Sequence, residues 1–350
     1  MTEQARALRL FAALAGGGVG AYVVRRVLYM IPTLLLISVL VFTLIELPPG
    51  DYFESYVAEL MASGEKVDPR KIEFLRKEYG FDLPPHERYF KWLGGMLVGD
   101  FGYSFQHELP VSVVIGDRLW FTIAITFATI VFTWLIAFPI GIYSATHQYS
   151  WGDHGLTLLG LLGLATPNFL FALVLMYLAN RWFGISIGGL YDPRFAELPM
   201  SWDKFVSVLE HIWIPVVVIG TAGTAGMMRR LRANLLDELR KPYVVTARAK
   251  GMPETRALLK YPLRMSLNFF IADIGAILPQ VISGAELVAI VMSLQTTGPV
   301  LIAALASQDM YLAGSFLMLL AVLTVIGVLI SDLALAVLDP RIRLAGGVSR

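Results

Sequence analysis

The sequence of 350 residues contains no cysteine. Disulfides, thiolate metal sites and cysteine nucleophiles are therefore excluded together. Charge is scarce as well: Asp, Glu, Lys and Arg make up 16% of the chain, whereas a soluble domain carries about 25%. There is no Gly-x-x-x-x-Gly-Lys-Ser/Thr phosphate loop and no His-Glu-x-x-His zinc helix, so the signatures of in-chain nucleotide hydrolysis and zinc proteolysis are missing. Basic and acidic residues number 28 and 27, for a net charge of +1; no global field draws the chain to nucleic acid. Hydrophobic residues make up 56% and the mean hydropathy is +0.65, which excludes intrinsic disorder.

What is present is a set of long apolar runs. A spanning helix needs roughly 20 mostly apolar residues. Val27–Ile45, Leu119–Thr146, Gly155–Asn180 and the shorter Ile212–Met228 carry no charge. Phe269–Met292 carries only Asp273 and Glu286, and Met310–Ser331 ends at Asp332. Six membrane-spanning helices are expected, an all-α membrane protein. Pro139, Pro167, Pro215 and Pro279 are expected to interrupt the second to fifth. The apolar Leu10–Val24, preceded by Arg6 and Arg9, resembles a signal peptide. Cleavage there would place Arg25-Arg26 outside, so residues 1–26 are read as a cytoplasmic lead-in.

Orientation follows from the basic residues near helix ends. Arg229–Arg264 holds ten of them (Arg229, Arg230, Arg232, Arg240, Lys241, Arg248, Lys250, Arg256, Lys260 and Arg264) against Asp237, Glu238 and Glu254. The lead-in carries Arg6, Arg9, Arg25 and Arg26, and the tail carries Arg341, Arg343 and Arg350. With six alternating helices these regions share one side, the cytoplasm, and both termini lie there. Asp51–Asp117, with twelve acids against seven bases, and the mildly acidic Gly184–Glu210 fall outside. The expected organisation is a first span over 27–47, an extracytoplasmic domain over 48–118, a five-helix core over 119–338 and a tail over 339–350. In the extracytoplasmic domain, Pro69–Tyr79 has helical periodicity with a stop at Gly80, and Pro84-Pro85 opens a helix over Arg88–Val98.

The loop within 234–264 is patterned. Asn234–Lys250 reads as a helix interrupted by Pro242, and Gly251 suits a left-handed C-terminal cap. Pro253 takes a first helical position with Glu254 in the first turn. Glu254–Tyr261 sets Ala257, Leu258 and Tyr261 on one side and Arg256 and Lys260, spaced i, i+4, on another. Two short helices meeting at a glycine present a ridge that is either a solvated basic loop setting topology or a docking knob for a cytoplasmic partner.

Thr246-Ala247-Arg248-Ala249-Lys250-Gly251, followed by Leu259, Leu263, Arg264 and Asn268, resembles the coupling-loop signature of ABC importer permeases. More narrowly, it resembles that of the dipeptide/oligopeptide/nickel permease family. Val245-Thr246-Ala247 stands where the general signature has an acid–Ala–Ala triplet. Arg25-Arg26 with Ile31-Pro32-Thr33-Leu34, Pro49-Gly50-Asp51, Gly99-Asp100-Phe101-Gly102-Tyr103-Ser104-Phe105, Pro110-Val111, Arg118-Leu119, Pro167-Asn168-Phe169 and Leu338-Asp339-Pro340-Arg341-Ile342-Arg343 are similar to family segments in the same order. Val291–Pro299 departs from the family's Ser–aromatic–Pro–Gly–Leu–Gly turn, and Ala289 stands where many members carry a glutamate.

The resemblance implies the ABC type I importer permease architecture in a bacterial or archaeal inner membrane. It implies a translocation path for a solute, a peptide or a related solute such as an oligosaccharide or a nickel complex. An extracytoplasmic binding protein would deliver the solute, and alternating access would move it. The implied partners are a second, related permease chain, two cytoplasmic ATPase subunits and membrane lipid, with no catalytic residue, cofactor or metal in this chain. ATPase coupling falls on Val245, Thr246, Ala247, Arg248, Ala249, Lys250, Gly251, Glu254, Arg256 and Lys260, with Gly251 letting two helices meet closely. The path falls on Glu286, Pro167 and Asn168. Glu286, costly inside a span, faces the path, pairs with a partner subunit or makes an interhelical hydrogen bond; Asp273 and Asp332 snorkel. The histidines, His86, His107, His147, His154 and His211, are read as scattered over loops. A stand-alone channel or ion-coupled transporter leaves the patterned loop unexplained, and an intramembrane enzyme lacks a catalytic pair in the spans.

Overall fold

In hydrocarbon, a backbone N–H or C=O without a partner costs several kcal/mol, so an apolar span must be a helix. The computed structural model describes residues 19–48, 53–54, 57, 61–62, 69–184, 188–196, 198–268, 270–271 and 286–338, and these are mostly helical. In chain order they form α1 (Val19–Glu46), α2 (Pro69–Tyr79), α3 (Pro85–Leu97), a two-residue antiparallel pair β1 (Tyr103–Ser104) and β2 (Leu109–Pro110), α4 (Val111–Thr146), α5 (Trp151–Ala165), α6 (Asn168–Phe183), α7 (Trp202–Leu239), α8 (Pro242–Ala249), α9 (Glu254–Lys260), α10 (Pro262–Ser266), α11 (Glu286–Val291), α12 (Thr297–Ala306) and α13 (Met310–Leu338).

Among the described residues four helices, α1, α4, α7 and α13, are long and apolar enough to cross a membrane, and α5 with α6 makes a fifth if that bent pair is one span. Most of the fifth expected run, Phe269–Met292 with Asp273 and Pro279, lies outside the described residues, as do residues 1–18, Pro49-Gly50-Asp51 and the tail from Asp339. Among the described residues the first helix spans Val19–Glu46 and so includes residues of the expected lead-in.

The prolines divide into two kinds. Pro32, Pro139 and Pro215 lie inside α1, α4 and α7 without ending them, contrary to the expected interruptions at Pro139 and Pro215. A proline deletes one backbone hydrogen bond, and long apolar flanks in a medium without water hold the rest of the helix. At Pro167 the helix does stop. Thr166 is extended (φ −80°, ψ 123°), as the residue before a proline prefers, and α5 and α6 meet at 102°.

The described chain divides into two compact units. One comprises Tyr29–Thr122 and Gln295–Val325. Its core gathers Phe53, Trp92, Phe105, Val111, Val114, Tyr311, Leu312 and Phe316. Phe53 meets Phe105 and Phe81 edge-on at centroid distances of 4.9 and 5.1 Å, the arrangement that ring quadrupoles favour. Burial of one such side chain contributes about 1.5–3 kcal/mol. Helix α3 is tied to the end of α1 by the Arg88–Glu46 ion pair and the Ser38–Tyr89 hydroxyl contact at 2.8 Å.

Asp309, wholly buried, organises this unit. Its carboxylate accepts from the Ser104 hydroxyl at 2.7 Å, from the Gln106 N–H at 3.3 Å and, as the cap of α13, from the Leu312 N–H at 3.2 Å. Burial pushes the carboxyl above the ordinary range, and these donors oppose that rise. Beside it Gly102 sits at φ +79°, and a Cβ there would fall 2.4 Å from the Tyr311 ring. Only glycine satisfies both the handedness and the space.

The second unit comprises Met1–Leu28, Ile123–Leu294 and Ile326–Arg350. Helix α7 is its axis: α5, α6, α10 and α11 all pack against it. Met227, Met228 and Leu231 of α7 meet Ala137 of α4 and Phe270. Arg26 pairs with Asp332 at 3.0 Å, so this acid is neutralised by a partner rather than by snorkelling. The loop ahead of α7 is held down by buried Lys204, whose ammonium donates to the Leu198 carbonyl at 2.6 Å and lies 4.5 Å from the Tyr191 ring centre. His211 is buried inside α7, its Nδ1 2.7 Å from the Ser207 carbonyl, which corrects its placement on a loop.

Asp309→Ala should orphan the donors on Ser104, Gln106 and Leu312 and destabilise the protein by about 2–4 kcal/mol. Thermal unfolding in detergent checks this, with Gly116→Ala, whose added methyl meets nothing within 4 Å and whose helix propensity is higher, as a control that should not lower the midpoint.

Candidate functional site

The basic ridge grows directly from the end of α7. Arg240 caps that helix and Lys241 is extended (φ −70°, ψ 147°). Pro242 then opens α8, where its missing N–H costs nothing. At the other end the Gly251 N–H donates to the Arg248 carbonyl at 2.9 Å and the Met252 N–H to the Ala247 carbonyl at 3.2 Å. This is the paired closure of a Schellman motif. Gly251 has φ +79°, the left-handed value that side chains with a Cβ disfavour. A Cβ there would meet nothing within 4 Å. The glycine is therefore required by handedness, as its reading as a left-handed cap expects, and not by the close approach of two helices that was also expected. Pro253 stands one place earlier than expected, as the residue before α9.

The ridge is anchored. Val244, Ala247 and Ala257 are buried, and α8 packs on α9, α9 on α10 and α10 along α7. Pro262 and Ser266 of α10 are buried, and Leu263 packs on the Met227–Leu231 cluster. Of the expected coupling residues, Val245, Thr246, Arg248, Ala249, Lys250, Gly251, Glu254, Arg256 and Lys260 are exposed, whereas Ala247 belongs to the anchor. Val245 and Leu259 are 57% and 61% exposed, so apolar and basic groups share the free surface. Arg248 spans the Gly251 turn to Glu254, donating at 3.1 and 2.9 Å. An exposed pair of this kind contributes about 0–1 kcal/mol but holds the two helices in one register. Burial and the Glu238 carboxylate, which the Tyr243 hydroxyl meets, push that phenol above its ordinary range.

The expected path residues lie elsewhere. Pro167, exposed, and Asn168, half-buried, sit at the bend that opens α6. Glu286, half-buried, opens α11, which packs against α6 and α7. Past α11 the chain turns at Ser293 (φ 53°), and the Met292 carbonyl accepts the Gly189 N–H at 2.8 Å. In the other unit, Thr297 begins α12 with its N–H donating to the Thr122 hydroxyl at 3.0 Å. The stretch that departs from the family turn is thus ordered by its own hydrogen bonds.

Residues 137–344 match the family described as "Binding-protein-dependent transport system inner membrane component", and residues 20–126 match the N-terminal family of the same systems. The chain belongs to this family of inner-membrane transport components. Among its relatives, the oligopeptide transport system permease protein AppB of Bacillus subtilis is 34% identical, covering 92% of this chain and 99% of that one. The inner membrane ABC transporter permease protein YejB of Escherichia coli O157:H7 is 30% identical over 93% and 100%. The solved MetNI methionine ABC transporter, in its inward-facing conformation, aligns with a TM-score of 0.51 at 14% identity. It covers 66% of this chain and 98% of that one, a likeness of fold. This chain is accordingly a permease subunit of an ATP-driven importer, a membrane component whose ATPase resides on separate subunits.

For this transport component, Gly251→Val should strain the left-handed turn by about 1–2 kcal/mol while Gly251→Asn costs less. Copurification of the ATPase subunits should fall with valine and persist with asparagine.

Proposed function

We propose that the ridge Pro242–Lys260 is the surface through which the ATPase subunits drive this permease, and that the solute is a peptide. The observation carrying the first part is the ridge itself. Two short helices are fixed by a Schellman turn and an Arg248–Glu254 bridge, and they are anchored by Val244, Ala247 and Ala257 on the continuation of α7. A flexible basic loop that merely set topology would need none of these. The peptide assignment is supported by the oligopeptide system named for the B. subtilis relative.

The rest of the reading follows the charge pattern. Six spans place both termini and the ridge in the cytoplasm, with residues 48–118 as the extracytoplasmic domain beneath a solute-binding protein. A second, related permease completes the path, with Glu286, Pro167 and Asn168 beside it. Nucleotide-driven closure of two ATPase subunits moves the paired ridges and alternates access between the two sides. The chain itself supplies the route and holds no cofactor.

Reversing two exposed charges, Arg256→Glu with Lys260→Glu, should weaken retention of the ATPase subunits about tenfold or more, because like charges across an interface cost several kcal/mol. Membrane insertion should be unchanged. Full ATPase retention and uptake by this variant would remove the ridge from the interface. Uptake that persists without any ATPase would point to a stand-alone channel. Ligand identification on the binding protein encoded with this permease tests the peptide assignment.

A further inference from the structure

Arg229, Arg256 and Lys260 are exposed, but Arg232 turns into the protein. Its Nε donates to Oδ1 of Asp153 at 3.0 Å and its Nη2 to Oδ2 at 2.7 Å. This two-point fork fixes orientation as well as distance. Asp153 is only 2% exposed, so the pair is sheltered from water and weakly screened. The same Oδ2 accepts the N–H of Tyr149 at 2.9 Å, and Tyr149 stands at φ +64° in the turn between α4 and α5. Ser150 caps α5 by accepting the Asp153 N–H at 3.1 Å. One carboxylate therefore holds three things together: the start of α5, the turn that follows α4, and α7 two turns before its end.

The contact beyond this pair is equally tight. A Cβ on Gly163 would lie 2.6 Å from the Thr221 methyl, and one on Gly160 would lie 3.1 Å from Met228. The α5 glycines thus make room for the Thr221 methyl and the Met228 side chain of α7, small residues at the contact being typical of membrane helices that associate closely. From Arg232, α7 continues through Leu235, fully buried, to Leu239 and then into the ridge.

We propose that the Asp153–Arg232 pair is the joint that carries displacement of the ridge into α5 and the end of α4. Asp153 and Arg232 are positioning residues: neither lies on the ridge surface. The inference rests on the ridge being the ATPase-docking surface. Mechanically, a fork to a buried carboxylate resists both sliding and rotation, so α5 follows α7 when the ridge is pulled. Without the fork, the ridge and α7 would still move, but the α4–α5 turn would lag.

The test uses the complete importer, with both permeases, ATPase subunits and binding protein, reconstituted in liposomes. Solute uptake and ATP hydrolysis are measured together. Asp153→Asn removes the charge, and Arg232→Lys keeps the charge but loses the fork. Both variants should assemble and hydrolyse ATP, while solute moved per ATP falls about tenfold, within the usual range of coupling between sites. An unchanged ratio of uptake to hydrolysis in either assembled variant, even with a lowered unfolding temperature, would make the pair purely structural and overturn the joint. Failure of both variants to assemble would overturn it as well. Retention of ATPase by the Arg256→Glu, Lys260→Glu variant separates the two readings. If the subunits stay bound there, the docking reading fails. If they are lost there while Asp153→Asn couples normally, only the joint fails.

Discussion

The controlling constraint is that a helix crossing hydrocarbon leaves its polar loose ends at its termini, where each must find a partner inside the protein or in water. The described residues meet this demand with few groups, well placed. Ser150 and Ser201 cap α5 and α7 through the N–H groups of Asp153 and Lys204. Asp309 caps α13 and takes in two further donors from the β1 segment. Thr296 makes no side-chain cap for α12, and Thr122 of α4 supplies the acceptor at Thr297 instead. Among the described residues these caps and ties satisfy polar groups at helix ends, while the long apolar lengths between them are free to face lipid or one another.

A permease subunit whose ATPase resides on other subunits must be a good transmitter. On the proposed docking at the ridge, work arrives there from outside the chain, and only stiffness carries it further. The Schellman closure at Gly251, the buried alanines of α8 and α9, and the close approach of α5 to α7 at Gly160 and Gly163 each remove a place where displacement would be absorbed. The bend at Pro167 is the opposite kind of element, because there the backbone gives up helical continuity altogether.

Much of this was readable where local chemistry decides structure. Pro69 and Gly80 punctuate α2, and it runs over Pro69–Tyr79 as its periodicity predicts. Helix α3 starts at Pro85, three residues before the expected Arg88, because proline is at home in a first turn. The ridge was legible from Pro242, Gly251 and Pro262, and so was the left-handed cap at Gly251; what spacing did not show is that no second helix crowds that glycine. What escaped were long-range pairs. Asp153 and Arg232 lie 79 residues apart, and in the sequence the arginine is one of ten bases setting topology. Asp309, an acid beside an apolar run, gives no local hint that it will be buried. His211 and Lys204 look like loop residues until α7 is seen to begin at Trp202.

The contact between Ser104 and Asp309 joins positions 205 residues apart. It has a consequence for the order in which the molecule is made. A chain threaded into the membrane from its N-terminus exposes β1 long before the C-terminal helix exists, and contacts of such separation form late. Until α13 arrives, Ser104 and Gln106 must donate to water, and Gly102 has no Tyr311 ring against it. This unit therefore cannot close during early synthesis. Its completion reports that α13 is in place, so a chain truncated before Asp309 would keep its first helices and still lack a finished unit around Phe53 and Phe105.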